Sequence, residues 1–95
     1  LTPAQLEAVR TEEAVQLVDI RNPGEVALGS IPGSMAIPLA RLRARADELD
    51  LGAPTAVFCA GGYRSSIAAS LLRSLGATDV SDVLGGYTAW AAVSL

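Results

Sequence analysis

The chain has 95 residues, 51% of them apolar, and a net charge of −3 from seven arginines, no lysine and ten acidic residues. That size and apolar content predict one domain with one core and exclude disorder. The arginines form no basic stripe, so nucleic-acid binding is not expected; no apolar run is as long as a membrane span; and the single cysteine predicts a reducing, cytoplasmic compartment, because it has no partner for an intramolecular disulfide.

Thr2-Pro3-Ala4-Gln5-Leu6-Glu7-Ala8-Val9 predicts a helix capped by Thr2, with Pro3 in its first turn and Leu6 and Val9 on one face. Gln16 to Ile20 is a short apolar strand, ended by the turn Arg21-Asn22-Pro23-Gly24. A short helix is expected around Glu25 to Leu28, then a loop over Gly29-Ser30-Ile31-Pro32-Gly33 and a brief strand at residues 34–37. Leu39 to Leu49 reads as a helix with Leu39, Leu42, Ala46 and Leu49 inward. Thr55 to Phe58 is a strand between Pro54 and a glycine-containing loop. Ser65 to Leu75 is helical, with Ser65 or Ser66 as cap, an apolar stripe of Ile67, Leu71, Leu72 and Leu75, and Gly76 as stop. Val80 to Leu84 is the last strand, and Gly85-Gly86 turns the chain into a terminal helix over Tyr87 to Val93.

Strands alternate with helices, and most strands are continuous apolar runs. The pattern implies an α/β fold with a parallel sheet of four or five strands and helices on both faces. Ligands of such folds bind at the carboxyl ends of the strands. The chain reads as a single domain over residues 1–95; a start at Leu1 rather than Met suggests a piece of a longer protein or a processed chain.

Cys59 lies at one of those strand ends. It opens the loop Cys59-Ala60-Gly61-Gly62-Tyr63-Arg64, and Ser65 begins the helix that follows. Strand, glycine loop and helix N-terminus together build an anion pocket from backbone N–H groups. A sulfur at its mouth would be held as thiolate, the reactive form. The chain has no histidine, which excludes Ser-His-Asp and Cys-His catalysis, and with one cysteine it offers no zinc site. A nucleophilic Cys59 would therefore be activated by the local field rather than by an adjacent base. Arg64, a cation at a helix N-terminus, is electrostatically misplaced unless an anion stands beside it. On the residues alone a second reading stays open: Cys59 as a small core thiol, Gly61-Gly62 as a plain turn and Arg64 as the partner of a surface carboxylate.

Four segments carry a family resemblance: Leu17-Val18-Asp19-Ile20-Arg21, Gly29-Ser30-Ile31-Pro32-Gly33-Ser34, Cys59-Ala60-Gly61-Gly62-Tyr63-Arg64-Ser65 and Leu84-Gly85-Gly86-Tyr87-Thr88-Ala89-Trp90. In order and spacing they resemble the signature segments of the rhodanese (thiosulfate sulfurtransferase) domain. The stretch from Tyr63 to Trp90 further resembles the rhodanese module that follows a metallo-β-lactamase-fold domain in bacterial fusion proteins acting on glutathione persulfide or related thiols. The resemblance implies a three-layer rhodanese-like fold and sulfane-sulfur transfer through a Cys59 persulfide. It implies a small-molecule sulfur donor, a thiol acceptor, no cofactor, and a fused metallo-β-lactamase-fold domain as a candidate partner. It makes Cys59 the catalytic residue and Ala60, Gly61, Gly62, Tyr63, Arg64 and Ser65 the substrate-binding loop, with Tyr63 at the pocket mouth. Asp19 and Arg21 become supports one layer behind the sulfur, and Trp90 core packing.

The loop from Cys59 to Arg64 has six residues, the sulfurtransferase size; phosphatases and arsenate reductases of the same fold have one more, so that activity is the weaker alternative. A persulfide relay or interaction module without turnover is the other. Two positions depart from the family pattern. Ser30 stands where many members have histidine, a change expected to repack a loop. Ala60 stands where members that use thiosulfate often have arginine, which favours a persulfide donor.

Overall fold

A computed structural model describes residues 1–93. The elements are α1 (Pro3–Glu12), β1 (Gln16–Asp19), α2 (Pro23–Ala27), β2 (Met35–Ala36), α3 (Leu39–Arg45), β3 (Thr55–Phe58), α4 (Tyr63–Ser74), β4 (Val80–Asp82) and α5 (Gly86–Val93). The four strands form one parallel sheet in the order β2-β1-β3-β4, with Val18 beside Val57 and Val57 beside Asp82. The expected α/β architecture is present, with four strands. Leu1 also exchanges backbone hydrogen bonds with the end of β4, its N–H donating to Asp82 O at 2.8 Å and its carbonyl accepting from Leu84 at 2.6 Å.

Both faces of the sheet are covered, which explains why its strands are apolar runs. Along β3, Val57 and the following Cys59 point to one face and Ala56 and Phe58 to the other. The first face packs on α3 and α4 through Val18, Ile20, Leu42, Ala68, Ala69 and Leu72. The second packs on α1 and α5 through Leu6, Leu17, Ile31 and Val83, with Tyr87 and Trp90 at its rim. Each fully buried aliphatic side chain stabilises by about 1.5–3 kcal/mol before ordering costs.

Several local expectations hold for the expected reasons. Thr2 caps α1, its hydroxyl accepting from the Gln5 N–H, while Gln5 returns the contact to the Thr2 N–H. Others are corrected. The helix expected through Leu49 ends at Arg45 and tightens into a 3-10 turn over Ala46–Glu48. The last strand stops at Asp82, before Leu84. The buried side of α4 is Ser65, Ala68, Ala69 and Leu72, and Ile67 is 44% exposed. Small residues face the sheet because the helix lies close to it. Gly62, at φ +109°, is the N-cap of α4, so neither Ser65 nor Ser66 holds that place. Among the described residues no helix is long and apolar enough to cross a membrane.

Candidate active site

The parallel register brings the carboxyl ends of β1, β3 and β4 side by side, and Cys59 follows directly on β3. Its residue is 1% exposed, so the sulfur lies at the floor of the loop. Sγ accepts backbone hydrogen bonds from Gly62 at 3.0 Å and Ser65 at 3.4 Å, and the Ser65 hydroxyl lies 3.6 Å away. The left-handed conformation of Gly62 turns its N–H inward, a geometry that an L side chain rarely adopts. Burial pushes the Cys59 thiol up, but hydrogen bonds from the Ser65 hydroxyl and the Ser65, Gly62 and Gly61 N–H groups outweigh it, and the pKa lies below the ordinary thiol value. The first turn of α4 adds its dipole to the same field. Cys59 thus belongs both to the core and to an anion-stabilising loop; the two readings of the sequence are not exclusive.

The Ser65 hydroxyl has one proton and several acceptors. It reaches Gly62 O at 3.1 Å and Asp82 Oδ2 at 3.4 Å as well as the sulfur. While Cys59 is a thiol it can donate to Ser65 Oγ; once ionised it can only accept, and the hydroxyl proton can turn toward it.

Arg64 is already paired with a carboxylate. Its two terminal nitrogens donate to the Glu25 carboxylate at 2.7 and 2.9 Å, a bidentate pair that joins α2 to the cysteine loop. The Arg64 guanidinium holds the Glu25 carboxyl down at about 2. Tyr63 is 76% exposed beside the loop. Ala60 is half-buried, and its carbonyl accepts from Thr88 N–H at 3.1 Å.

Asp19 and Arg21 form a separate buried unit at the end of β1. Asp19 is fully buried and accepts from the Arg21 backbone N–H, from Arg21 Nε at 2.9 Å, from an Arg21 terminal nitrogen at 2.7 Å and from Ser30 Oγ at 2.6 Å. Arg21 also donates to Gly29 O and lies 4.3 Å above the Tyr87 ring. Its pKa is raised, chiefly by the hydrogen bond to Asp19. None of these hydrogen bonds reaches Cys59. Ser30 pairs with Asp19 and Ser34, so this position fills a polar role in the β1 support.

Sequence reasoning missed two contributors. Arg64 does pair with a carboxylate, as the second reading of the sequence had it, but nothing in the sequence named Glu25, 39 positions away. Gly86 had a signal, the Gly85-Gly86 pair, but it read only as a turn. In the fold Gly86 has φ +58°, and a Cβ there would stand 2.3 Å from Cys59 O and 2.7 Å from Ala60 O. That close approach lets α5 begin against the loop, with Tyr87 N–H donating to Cys59 O at 2.7 Å. A surface cavity of about 530 Å³ lies apart from the loop: Arg21, Val26, Pro38 and Arg41 are among its walls, and no residue from 59 to 65 is. The chemistry of the cysteine loop, rather than a cavity, makes it the candidate site. Among the described residues no cluster of acidic and cysteine side chains could hold a metal ion.

A family model described as "Rhodanese-like domain" matches residues 2–93. The protein YqhL of Bacillus subtilis is 37% identical over 75 residues, covering 79% of this chain; the chain spans only 60% of that protein. A thiosulfate sulfurtransferase GlpE of Pseudomonas fluorescens is 39% identical over 90 residues, 95% of this chain and 82% of the relative. The solved structure of a human single-domain sulfurtransferase, TSTD1, superposes with a TM-score of 0.91 at 27% identity, covering 100% of this chain and 96% of the other.

Proposed function

The chain belongs to the rhodanese-like domain family, and we propose on that footing that it is a sulfurtransferase moving sulfane sulfur from a persulfide or thiosulfate donor to a thiol acceptor through a Cys59 persulfide. The observation that carries this reading is the sulfur of Cys59 at the floor of a six-residue loop, accepting the N–H groups of Gly62 and Ser65.

In the first half-reaction the Cys59 thiolate attacks the outer sulfur of the donor. From an alkyl persulfide, R–S–SH, the S–S bond breaks, R–S⁻ leaves with the bonding pair, and Cys59–S–SH remains with the proton. From thiosulfate the same attack expels sulfite and leaves Cys59–S–S⁻. In the second half-reaction an acceptor thiolate takes the outer sulfur, and the Cys59 thiolate is regenerated with the S–S electron pair. No base is needed, because the loop already favours the thiolate. The inward N–H groups stabilise charge on either sulfur in the manner of an oxyanion hole. Asp19 and Arg21 serve this scheme by fixing the end of β1 beside the loop. A fused metallo-β-lactamase-fold domain producing or consuming a thiol persulfide is the partner that fits this chemistry.

Turnover of the chain with thiosulfate and with glutathione persulfide, using cyanide or a thiol as acceptor, tests the proposal. Sulfur transfer lost in Cys59→Ser with the fold retained is expected. Retained transfer in that variant would overturn the assignment, and absence of turnover with a stable Cys59 persulfide would point to a relay instead.

A further inference from the structure

The loops that follow β1 and β3 contain two arginines, and both are already in ion pairs. Arg21 is buried on Asp19. Arg64 lies in the first turn of α4 and meets Glu25 through two parallel hydrogen bonds. Glu25 is itself fixed, because the Asn22 N–H donates to its Oε1 at 3.3 Å and closes the capping box of α2. The Arg64 and Glu25 side chains are 32% and 34% exposed, so their pair stands at the solvent side of the two loops. Arg64 directly precedes Ser65, whose N–H reaches the Cys59 sulfur, so the guanidinium belongs to the same turn that binds the sulfur.

With Cys59 ionised, the thiolate, the Arg64 guanidinium and the Glu25 carboxylate sum to −1, and the Asp82 carboxylate behind the Ser65 hydroxyl adds further negative charge. Thiosulfate brings two negative charges to such a site, whereas a persulfide brings one or none at its reacting end. We propose that Glu25 is a donor-specificity determinant: by occupying Arg64 it disfavours dianionic sulfur donors and leaves the loop suited to persulfides of low charge. The inference rests on the sulfurtransferase reading above. It concerns this chain's own loop, where Ala60 supplies no second cation beside the sulfur, and it assigns to Glu25 a role distinct from capping α2.

Glu25→Gln keeps the side-chain length and an acceptor for the Asn22 N–H while removing the charge. The ratio kcat/KM for thiosulfate should rise on the order of tenfold, and that for an uncharged alkyl persulfide should stay within about twofold. The gain should shrink at high ionic strength. An equal change with both donors, or no change with thiosulfate, would overturn the proposal. A second measurement is independent of sulfur transfer: alkylation of Cys59 by neutral iodoacetamide and by anionic iodoacetate, each normalised to a small free thiol. In the wild-type chain the normalised iodoacetate rate should not exceed the iodoacetamide rate, and in Glu25→Gln their ratio should rise. A wild-type preference for the anionic reagent would overturn the proposal even if the variant failed to fold. A chain that moves no sulfur yet gives the expected alkylation ratios would refute the sulfurtransferase reading while supporting the charge role of Glu25.

Discussion

Replacing Gly86 with alanine should damage fold and site together, because the added methyl group has nowhere to go. The Cβ would lie 2.3 Å from Cys59 O, 2.7 Å from Ala60 O and 2.8 Å from Ala60 C, all backbone atoms of the cysteine loop. Reaching even 3.0 Å from Cys59 O requires a displacement of about 0.7 Å, in a core packed at crystal-like density. The φ of +58° adds roughly 1–2 kcal/mol for any L residue, and forcing the backbone apart adds about 1–3 kcal/mol. The sum is roughly 2–5 kcal/mol, a large fraction of the stability of a small domain. Urea unfolding should show the midpoint falling at unchanged slope. In the surviving folded fraction the loop carbonyls will have moved, so the pH at which iodoacetamide labels Cys59 should rise toward that of a free thiol. Gly24→Ala is the matched control, since nothing lies within 4 Å of its Cβ and its φ is not positive. A Gly86→Ala chain as stable as the Gly24→Ala chain would refute the reasoning.

Three further outcomes follow from the site. Iodoacetamide labelling of wild-type Cys59 should have a pH midpoint below that of an ordinary thiol, and Ser65→Ala should raise it by removing the hydroxyl while leaving the Ser65 N–H in place; an unchanged midpoint would remove Ser65 Oγ from thiolate stabilisation. Asp19→Asn should cost about 3 kcal/mol or more in thermal or urea unfolding, because it leaves Arg21 buried without its counter-charge; a loss below about 1 kcal/mol, the value of an exposed pair, would contradict that burial. The Glu25 carboxyl is held at about 2 in the fold against an ordinary 4.5, so its pair with Arg64 stabilises the fold fully above pH 4.5 and loses that contribution as pH falls toward 2. Its partial exposure limits the effect to about 1 kcal/mol. The stability difference between wild type and Glu25→Gln should therefore be constant at neutral pH and vanish on acidification; a difference that persisted at pH 2 would deny the ion pair.

Elements set by local chemistry were legible in the sequence. The run Thr55–Phe58 between Pro54 and a glycine loop is β3 to the residue, and Thr2 with Gln5 forms the cap of α1. The Cys59 loop was legible too, since a cysteine, two glycines and a helix start adjoin one another in the chain. The packed side of α4 was legible only in part. Leu72 is buried and Leu71 packs on the core as the stripe predicts, but Ile67 is exposed and the small Ser65, Ala68 and Ala69 share the buried side. The Arg64–Glu25 pair and the seat of Gly86 against Cys59 O join residues 39 and 27 positions apart, and no local pattern encodes either. In each case the missing information is which strand ends lie side by side.

Cys59 is the only cysteine, so the mass of the intact chain alone tests whether it carries sulfur. Incubation with a persulfide donor, removal of the donor and mass measurement should show a gain of one sulfur atom, lost again on adding cyanide and absent in Cys59→Ser. An unchanged mass in a chain that nonetheless turns over donor and acceptor would contradict a Cys59 persulfide intermediate.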